Sequence, residues 1–182
     1  MNISEAKNLL REARPYFYRY ENPVKVYLHW TGGGYNSVSE SYHFCITGNG
    51  DIVNTRDLKE IPAATYARNT GSIAISLCCA EGAVGDPADS KLGDCPPTKS
   101  QIETCAQLMA AISYIFRIPL TIEHFLTHAE AADNLDGLYP CAPYGPDNGC
   151  ERWDLAITKE SDAWGDGGNV LRGKAIWYQA HT

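Results

Sequence analysis

Hydrophobic and polar positions alternate along the chain in stretches that switch between a period near 3.6 and a period of two. Ala6, Leu9, Leu10 and Ala13 recur at helical spacing behind Ser4, a residue suited to capping, and Pro15 is where that helix is expected to stop. Residues 24–30, Val-Lys-Val-Tyr-Leu-His-Trp, are rich in β-branched and aromatic side chains and end at Thr31-Gly32-Gly33-Gly34, so His29 is expected at the end of a strand. Two strand-like runs, 42–47 and 52–55, flank Gly48-Asn49-Gly50-Asp51, the signal of a hairpin. Period two places Tyr42, Phe44 and Ile46 on one face and His43 and Cys45 on the other.

Residues 72–79 read as a buried central strand in which larger side chains alternate with small ones, Ser76 lying on the small-residue face. Residues 99–117 carry the clearest helical stripe, Ile102, Cys105, Met109, Ile112 and Phe116, opened by a Thr98/Gln101 capping box and closed by Pro119. Residues 120–127 then predict a strand that delivers His128. A loop over 131–151, with three Pro and three Gly, leads into Arg152-Trp153-Asp154-Leu155, and loops of that length are usually functional or disordered. The glycine-bearing tail from Asp162 reads as a surface extension rather than a second domain, giving one domain over 1–182 with residues 158–182 as a C-terminal extension.

A chain of 182 residues, 44% hydrophobic and 20% charged, has the composition of a globular domain able to fold without staples. Its net charge of −7 argues against nucleic acid as a partner, because that affinity rests on cations neutralising phosphates. The N-terminus lacks the basic start and apolar run of a signal peptide, and no stretch approaches the roughly 20 apolar residues of a membrane span. Seven cysteines form no CxxC pair. Cys141 and Cys150 bracket a Pro- and Gly-containing loop where a disulfide is as much expected as not, while Cys45, Cys78 and Cys105 are expected as buried thiols.

Catalytic zinc takes a few His nitrogens and carboxylate oxygens from rigid elements and keeps one position open. Five histidines are available, and none is singled out by residue type alone. Read together, Val26-Tyr27-Leu28-His29-Trp30-Thr31, Ser41-Tyr42-His43-Phe44-Cys45-Ile46 with Gly48-Asn49-Gly50, Ser72-Ile73-Ala74-Ile75-Ser76-Leu77, Thr127-His128-Ala129-Glu130 and Arg152-Trp153-Asp154-Leu155 resemble, in order, signature segments of one family. It is that of the type 2 N-acetylmuramoyl-L-alanine amidases and peptidoglycan recognition proteins, phage-lysozyme amidases among them. The resemblance spans about residues 20–157.

The resemblance implies an α/β domain, a mixed central sheet flanked by helices with zinc at one edge of the sheet. It assigns His29, His128 and Asp154 to Zn2+ and implies hydrolysis of the amide between N-acetylmuramic acid and the L-alanine of the stem peptide. Tyr42 corresponds to a tyrosine that positions water or stabilises the oxyanion. Arg152 stands where many members have lysine; it keeps the charge but, being unable to donate its proton at working pH, would act electrostatically. Ser76 stands where some members have a glutamate base, which leaves the base open between water held by the metal, Tyr42 and Glu130. His43, His124 and His181 are expected in structural or solvent roles, and Trp30, Tyr35, Tyr66 and Tyr139 are unassigned.

The peptidoglycan or muropeptide substrate implies a bacteriolytic, antimicrobial role: a phage endolysin released by a holin, or a secreted effector with an immunity protein, made in the cytoplasm and acting in the periplasm or on the wall. Two other readings are a peptidoglycan-binding module without catalysis and a cytosolic muropeptide-recycling amidase. The filled ligand positions favour the enzyme over the binder.

Overall fold

Ten short elements are built by the chain, which a computed structural model describes over residues 1–181. In chain order they are α1 (Ile3–Phe17), β1 (Lys25–Trp30), β2 (Phe44–Ile46), β3 (Ile52–Asn54), β4 (Ser72–Leu77), α2 (Lys99–Phe116), β5 (Phe125–Thr127), α3 (His128–Ala132), a 3-10 turn (Pro146–Asn148) and α4 (Gly167–Ala180). The five strands form one mixed sheet ordered β3-β2-β4-β1-β5. Only the hairpin β2–β3 is antiparallel; β2–β4, β4–β1 and β1–β5 run parallel. The expected α/β class, mixed sheet and flanking helices are all present.

Alternation sorts the two faces of the sheet. Val26, Leu28 and Trp30 of β1 lie beside Ile73, Ile75 and Leu77 of β4, and with Phe44, Ile46 and Phe125 they pack against the apolar stripes of α1, α2 and α4. Each such large side chain contributes roughly 1.5–3 kcal/mol by leaving water. The other face carries His29, Ser76 and Cys45 across one row of the sheet, with Tyr27 and Leu126 under Ala131 of α3. The large face is the core and the small face leaves room for a site.

Several boundaries differ from the expectation. Helix α1 is capped by Asn2, whose side chain accepts from Glu5 N–H while Glu5 reaches back to Asn2 N–H, so Ser4 is already helical. Pro15 lies inside the helix, which continues to Phe17. Strand β5 is only three residues long, because residues 118–124 are turns and loops. Cys141 and Cys150 are both free thiols, so the disulfide between them is not formed. Cys45, Cys78 and Cys105 are buried, as expected.

The tail does not lie on the surface as its glycines suggested. It folds into α4, which packs beside α2 and buries Leu171 and Ala175. Lys174 and Tyr178 both reach Glu103 of α2, at 2.6 and 2.8 Å. Arg172 is buried and grips Glu130 of α3 through two bonds of 2.7 and 2.8 Å while also donating to the Phe125 carbonyl. Gly168 allows this, since a Cβ there would sit 2.3 Å from the Glu130 carboxylate.

His43 is the polar lock between the hairpin and the sheet. Fully buried, it donates from Nε2 to the Glu60 carbonyl and accepts at Nδ1 from Ala74 N–H, both at 3.0 Å, a pattern that only the neutral ring satisfies. Burial pushes its imidazole below the ordinary histidine range. The folded state therefore takes up a proton less readily than the unfolded chain, whose histidine titrates near about 6.5. His43 stabilises the fold fully above that pH and progressively less below it. The stability difference between the parent and His43→Gln should accordingly shrink as pH falls from 7 to 5; urea unfolding at a series of pH values would count against this assignment if the difference stayed constant.

Candidate metal centre

Register brings the two histidines together. The parallel pairing of β1 with β5 sets Leu28 opposite Thr127, so His29 and His128 follow as neighbours at the C-terminal ends of the strands. Thr127 also caps α3, accepting from Glu130 N–H. His128 is thereby both the residue after a strand and the first residue of a helix. Asp154 arrives from the long loop, its backbone carbonyl accepting from Ala129 N–H at 3.3 Å.

The three side chains converge on one point. His29 Nδ1 lies 3.2 Å from His128 Nδ1, His128 Nδ1 lies 3.3 Å from Asp154 Oδ2, and His29 Nδ1 lies 3.5 Å from the same oxygen. Hydrogen bonds alone satisfy this triangle poorly. If both rings carried a proton on Nδ1 to reach the carboxylate, two N–H groups would face each other at 3.2 Å. A tetrahedral zinc with bonds of 2.0–2.1 Å holds its ligand atoms about 3.3 Å apart, which is the spacing of all three edges.

The electrostatics suit a divalent cation. Burial is the largest influence on His29 and, with His128 nearby, lowers its pKa to about 4 despite Asp154, so the ring is neutral at physiological pH. Burial alone would raise the Asp154 carboxyl, but the imidazoles of His128 and then His29 beside it outweigh burial and hold the group well below the usual carboxylate range. A neutral imidazole at His29 and an ionised carboxylate at Asp154 are protonation states that zinc ligands require. Thr65, buried in the loop before β4, has its Oγ1 3.1 Å from His29 Nε2, where the hydroxyl can accept from Nε2–H in the tautomer that leaves the Nδ1 lone pair facing His128 and Asp154.

Around this triangle the other expected residues are placed unevenly. Tyr42 stands beside His29, ring centroids 5.1 Å apart. The alternation that put it with Phe44 and Ile46 does not apply, because β2 begins at Phe44 and Tyr42 lies in the preceding bend. Burial first, and the charge of Asp154 next, push its phenol up to about 12, so it stays a proton donor and is unsuited to act as a base. Ser76, in register with His29, is buried and offers no carboxylate. Glu130 is committed to Arg172, which removes it from the candidates for a base.

Arg152 is not in the triangle. It lies at the rim of a cleft of about 490 Å³ that His128, Thr65, Tyr66, Asn69, Tyr144 and Glu151 also line, and it is ion-paired with Glu151 at 3.4 Å. Among the aromatics left unassigned, Tyr66 is exposed in this cleft while Trp30 is buried. Thr65, Asn69 and Tyr144 carried no sequence signal; nothing in the pattern of residues 57–71, or of the loop 131–151, distinguishes them from ordinary loop residues.

Asp154 is held from both sides. Trp153 lies edge-on to Trp30 at 4.6 Å and stacks on Trp164 at 5.6 Å, and Gly85 passes so close that a Cβ there would overlap the Trp153 ring. Leu155, fully buried, adopts the left-handed backbone at φ 59°, uncommon for a residue with a branched side chain and tolerated where the surroundings over-determine it. Its carbonyl lies where a Cβ on Gly167 would have to go.

A family model described as N-acetylmuramoyl-L-alanine amidase matches residues 6–137, which includes His29 and His128 and stops before Asp154. No curated protein matches the chain. Among solved structures it is similar to the Ph2119 endolysin from Thermus scotoductus MAT2119 bacteriophage Ph2119, at 15% identity over 65% of this chain and 84% of that chain, TM-score 0.46. It is also similar to the endolysin N-acetylmuramoyl-L-alanine amidase LysCS and to the N-acetylmuramoyl-L-alanine amidase LysC, both from Clostridium intestinale URNW. Both are 16% identical and cover 59% of this chain; they match over 69% and 70% of their own lengths with TM-scores of 0.44 and 0.42.

The Thr65 contact makes a specific demand. Thr65→Val removes the acceptor for His29 Nε2–H at nearly constant volume, and should weaken zinc binding about tenfold or more while leaving the melting temperature of the metal-free chain little changed. Thr65→Ser should retain most of the affinity. Competition against a chromogenic chelator reads both, and equal affinities for all three chains would show that Thr65 does not orient the ligand.

Proposed function

The chain belongs to the N-acetylmuramoyl-L-alanine amidase family and is a peptidoglycan amidase, and on that premise we propose a zinc-dependent hydrolase that cuts the amide between N-acetylmuramic acid and the L-alanine of the stem peptide. The observation that carries the zinc dependence is the triangle of His29 Nδ1, His128 Nδ1 and Asp154 Oδ2, all within 4.8 Å of one another. His29, His128 and Asp154 would hold the metal. Zinc bound there supplies a Lewis acid for the scissile carbonyl and lowers the pKa of water.

The chain's own residues do the rest. The cleft beside His128 takes the stem peptide between the 63–66 segment on one wall and Tyr144, Glu151 and Arg152 on the other. Tyr42, protonated and next to His29, donates a hydrogen bond to the oxygen that gains charge as the carbonyl becomes tetrahedral. Arg152 adds positive charge at the rim, where its ion pair with Glu151 is exposed and free to rearrange around a substrate. Asp154, ionised and supported by both histidines, balances the charge of the site.

A binding module without catalysis is the rival. All three ligand positions are filled and correctly spaced, which supports the enzyme. The setting proposed is lysis of the bacterial wall from within the periplasm or at its surface. Among the described residues, no helix is long and apolar enough to cross a membrane.

His29→Ala should lose both stoichiometric zinc and release of stem peptides from purified sacculi. Tyr42→Phe should keep zinc and lose about 10²-fold in turnover, in line with removal of one oxyanion donor. Metal analysis of the two variants, with mass spectrometry of the products to fix the scissile bond, tests the assignment; a zinc-free His29→Ala that still releases stem peptides would overturn it.

A further inference from the structure

The helical side of the molecule carries a second, chemically different cleft. It has a volume of about 800 Å³ and is lined by Arg11 and Arg14 of α1, Tyr114 near the end of α2, Arg117, and Gln179 of α4, over a floor that includes Ile118. These helices cover the sheet face opposite His29 and His128, and residues 117–119 lead towards the N-terminal end of β5, whereas the metal ligands cluster at the C-terminal ends.

The charge of this cleft is anomalous for a chain of net charge −7. The sequence has eight arginines. Among the described residues, Arg56, Arg68, Arg152 and Arg172 are in ion pairs, and Arg19 lies over the Tyr16 ring. The remaining three all line this cleft, and none has a carboxylate partner among the described residues. Among the described residues Arg11 bonds only to the Asn8 side chain, at 3.1 Å. Arg14 lies 5.2 Å from the Tyr18 ring centroid, and its Nε is buried with no hydrogen-bond partner. Three guanidiniums sharing a concave surface repel one another, and that arrangement is stabilised when oxyanions occupy it through charge-assisted forks.

We propose that this cleft is a second wall-binding site, which takes oxyanion groups of the cell wall (stem-peptide carboxylates or phosphates of wall-attached polymers) and so retains the enzyme on its insoluble substrate. This rests on the peptidoglycan amidase reading above. The concavity favours a polymer segment over a flat bilayer. The negative charge of the rest of the chain opposes nucleic acid, which carries a far denser line of phosphates.

The test uses the zinc-loaded full chain and the triple variant Arg11→Gln/Arg14→Gln/Arg117→Gln. Sedimentation with purified sacculi, before and after acid stripping of phosphate polymers, measures retention. Turnover of a soluble muropeptide measures the catalytic site. The variant should keep muropeptide turnover within about twofold and lose about fivefold or more in retention, with the salt dependence of binding flattened. Loss on both wall preparations identifies carboxylates as the ligand, and loss only on unstripped wall identifies phosphates. Equal retention of parent and variant at every salt concentration overturns the proposal, as does arginine-dependent binding seen only with duplex DNA or with anionic vesicles. Should Arg14→Gln impair folding, the exposed pair Arg11→Glu/Arg117→Glu gives the same comparison through charge reversal. A parent that binds wall but turns over no muropeptide would remove the function proposed above without deciding the cleft, which the retention comparison decides separately.

Discussion

The parallel pairing of β1 with β5 is the constraint on which the site depends. With Leu28 opposite Thr127, His29 and His128 fall side by side at the ends of the two strands, and Leu28 and Trp30, which flank His29, face the helical core. A slip of one residue in either strand would turn its histidine into the core and its apolar side chains out to the loops. Burial of Val26, Leu28, Trp30 and Phe125 therefore enforces the register and, with it, the spacing of the two proposed ligands. Packing energy spent on the core face is what holds two nitrogens 3.2 Å apart on the other.

Strand β5 is only three residues long, and two buried ion networks compensate for its shortness. On one side Arg172 of α4 joins Glu130 to the Phe125 carbonyl, tying α3 and β5 to the C-terminal helix. On the other, Arg68 bonds to Asp136 at 2.7 and 3.0 Å and to Asn134 at 2.7 Å, while Tyr27 of β1 donates to the same aspartate at 3.0 Å. Arg68 lies three residues after Thr65, so the network that anchors the end of α3 also anchors the loop that orients His29. Removing one partner of such a pair leaves a buried charge and typically costs 3–5 kcal/mol, whereas the intact pair adds little net stability. These pairs define a geometry more than they stabilise a fold.

Much of this was legible in the sequence, and what was not has a physical reason. The strand positions of His29 and Ser76, the hairpin at Asn49-Gly50 and the capping box of α2 are local signals, and each is present. Tyr42 was assigned to the wrong face because period two was extended two residues beyond the strand's true start at Phe44. Pro15 was taken as a stop, yet the helix runs two residues past it. Thr65 and the Arg172–Glu130 pair are separated in sequence by 36 and 42 residues from their partners, a distance at which no periodicity speaks. The tail was misjudged because its glycines suggest flexibility; Gly167 and Gly168 are instead where α4 comes too close to Leu155 and Glu130 for any side chain.

That last contact connects the C-terminal helix to Asp154, the third of the proposed ligands. The sheet positions His29 and His128, but Asp154 comes from a segment without regular structure, and its aim depends on neighbours that arrive later in the chain. Trp164 stacks on Trp153, and Gly165 and Gly167 both donate to the Ala156 carbonyl, at 3.1 and 2.9 Å. Leu155 holds its left-handed backbone between these two grips. A left-handed non-glycine residue persists where its surroundings over-determine it, so the contacts made by residues 164–167 support the placement of the Asp154 carboxylate. The triangle of His29, His128 and Asp154 is thus closed by the part of the chain that lies beyond residue 137, where the match to the family ends.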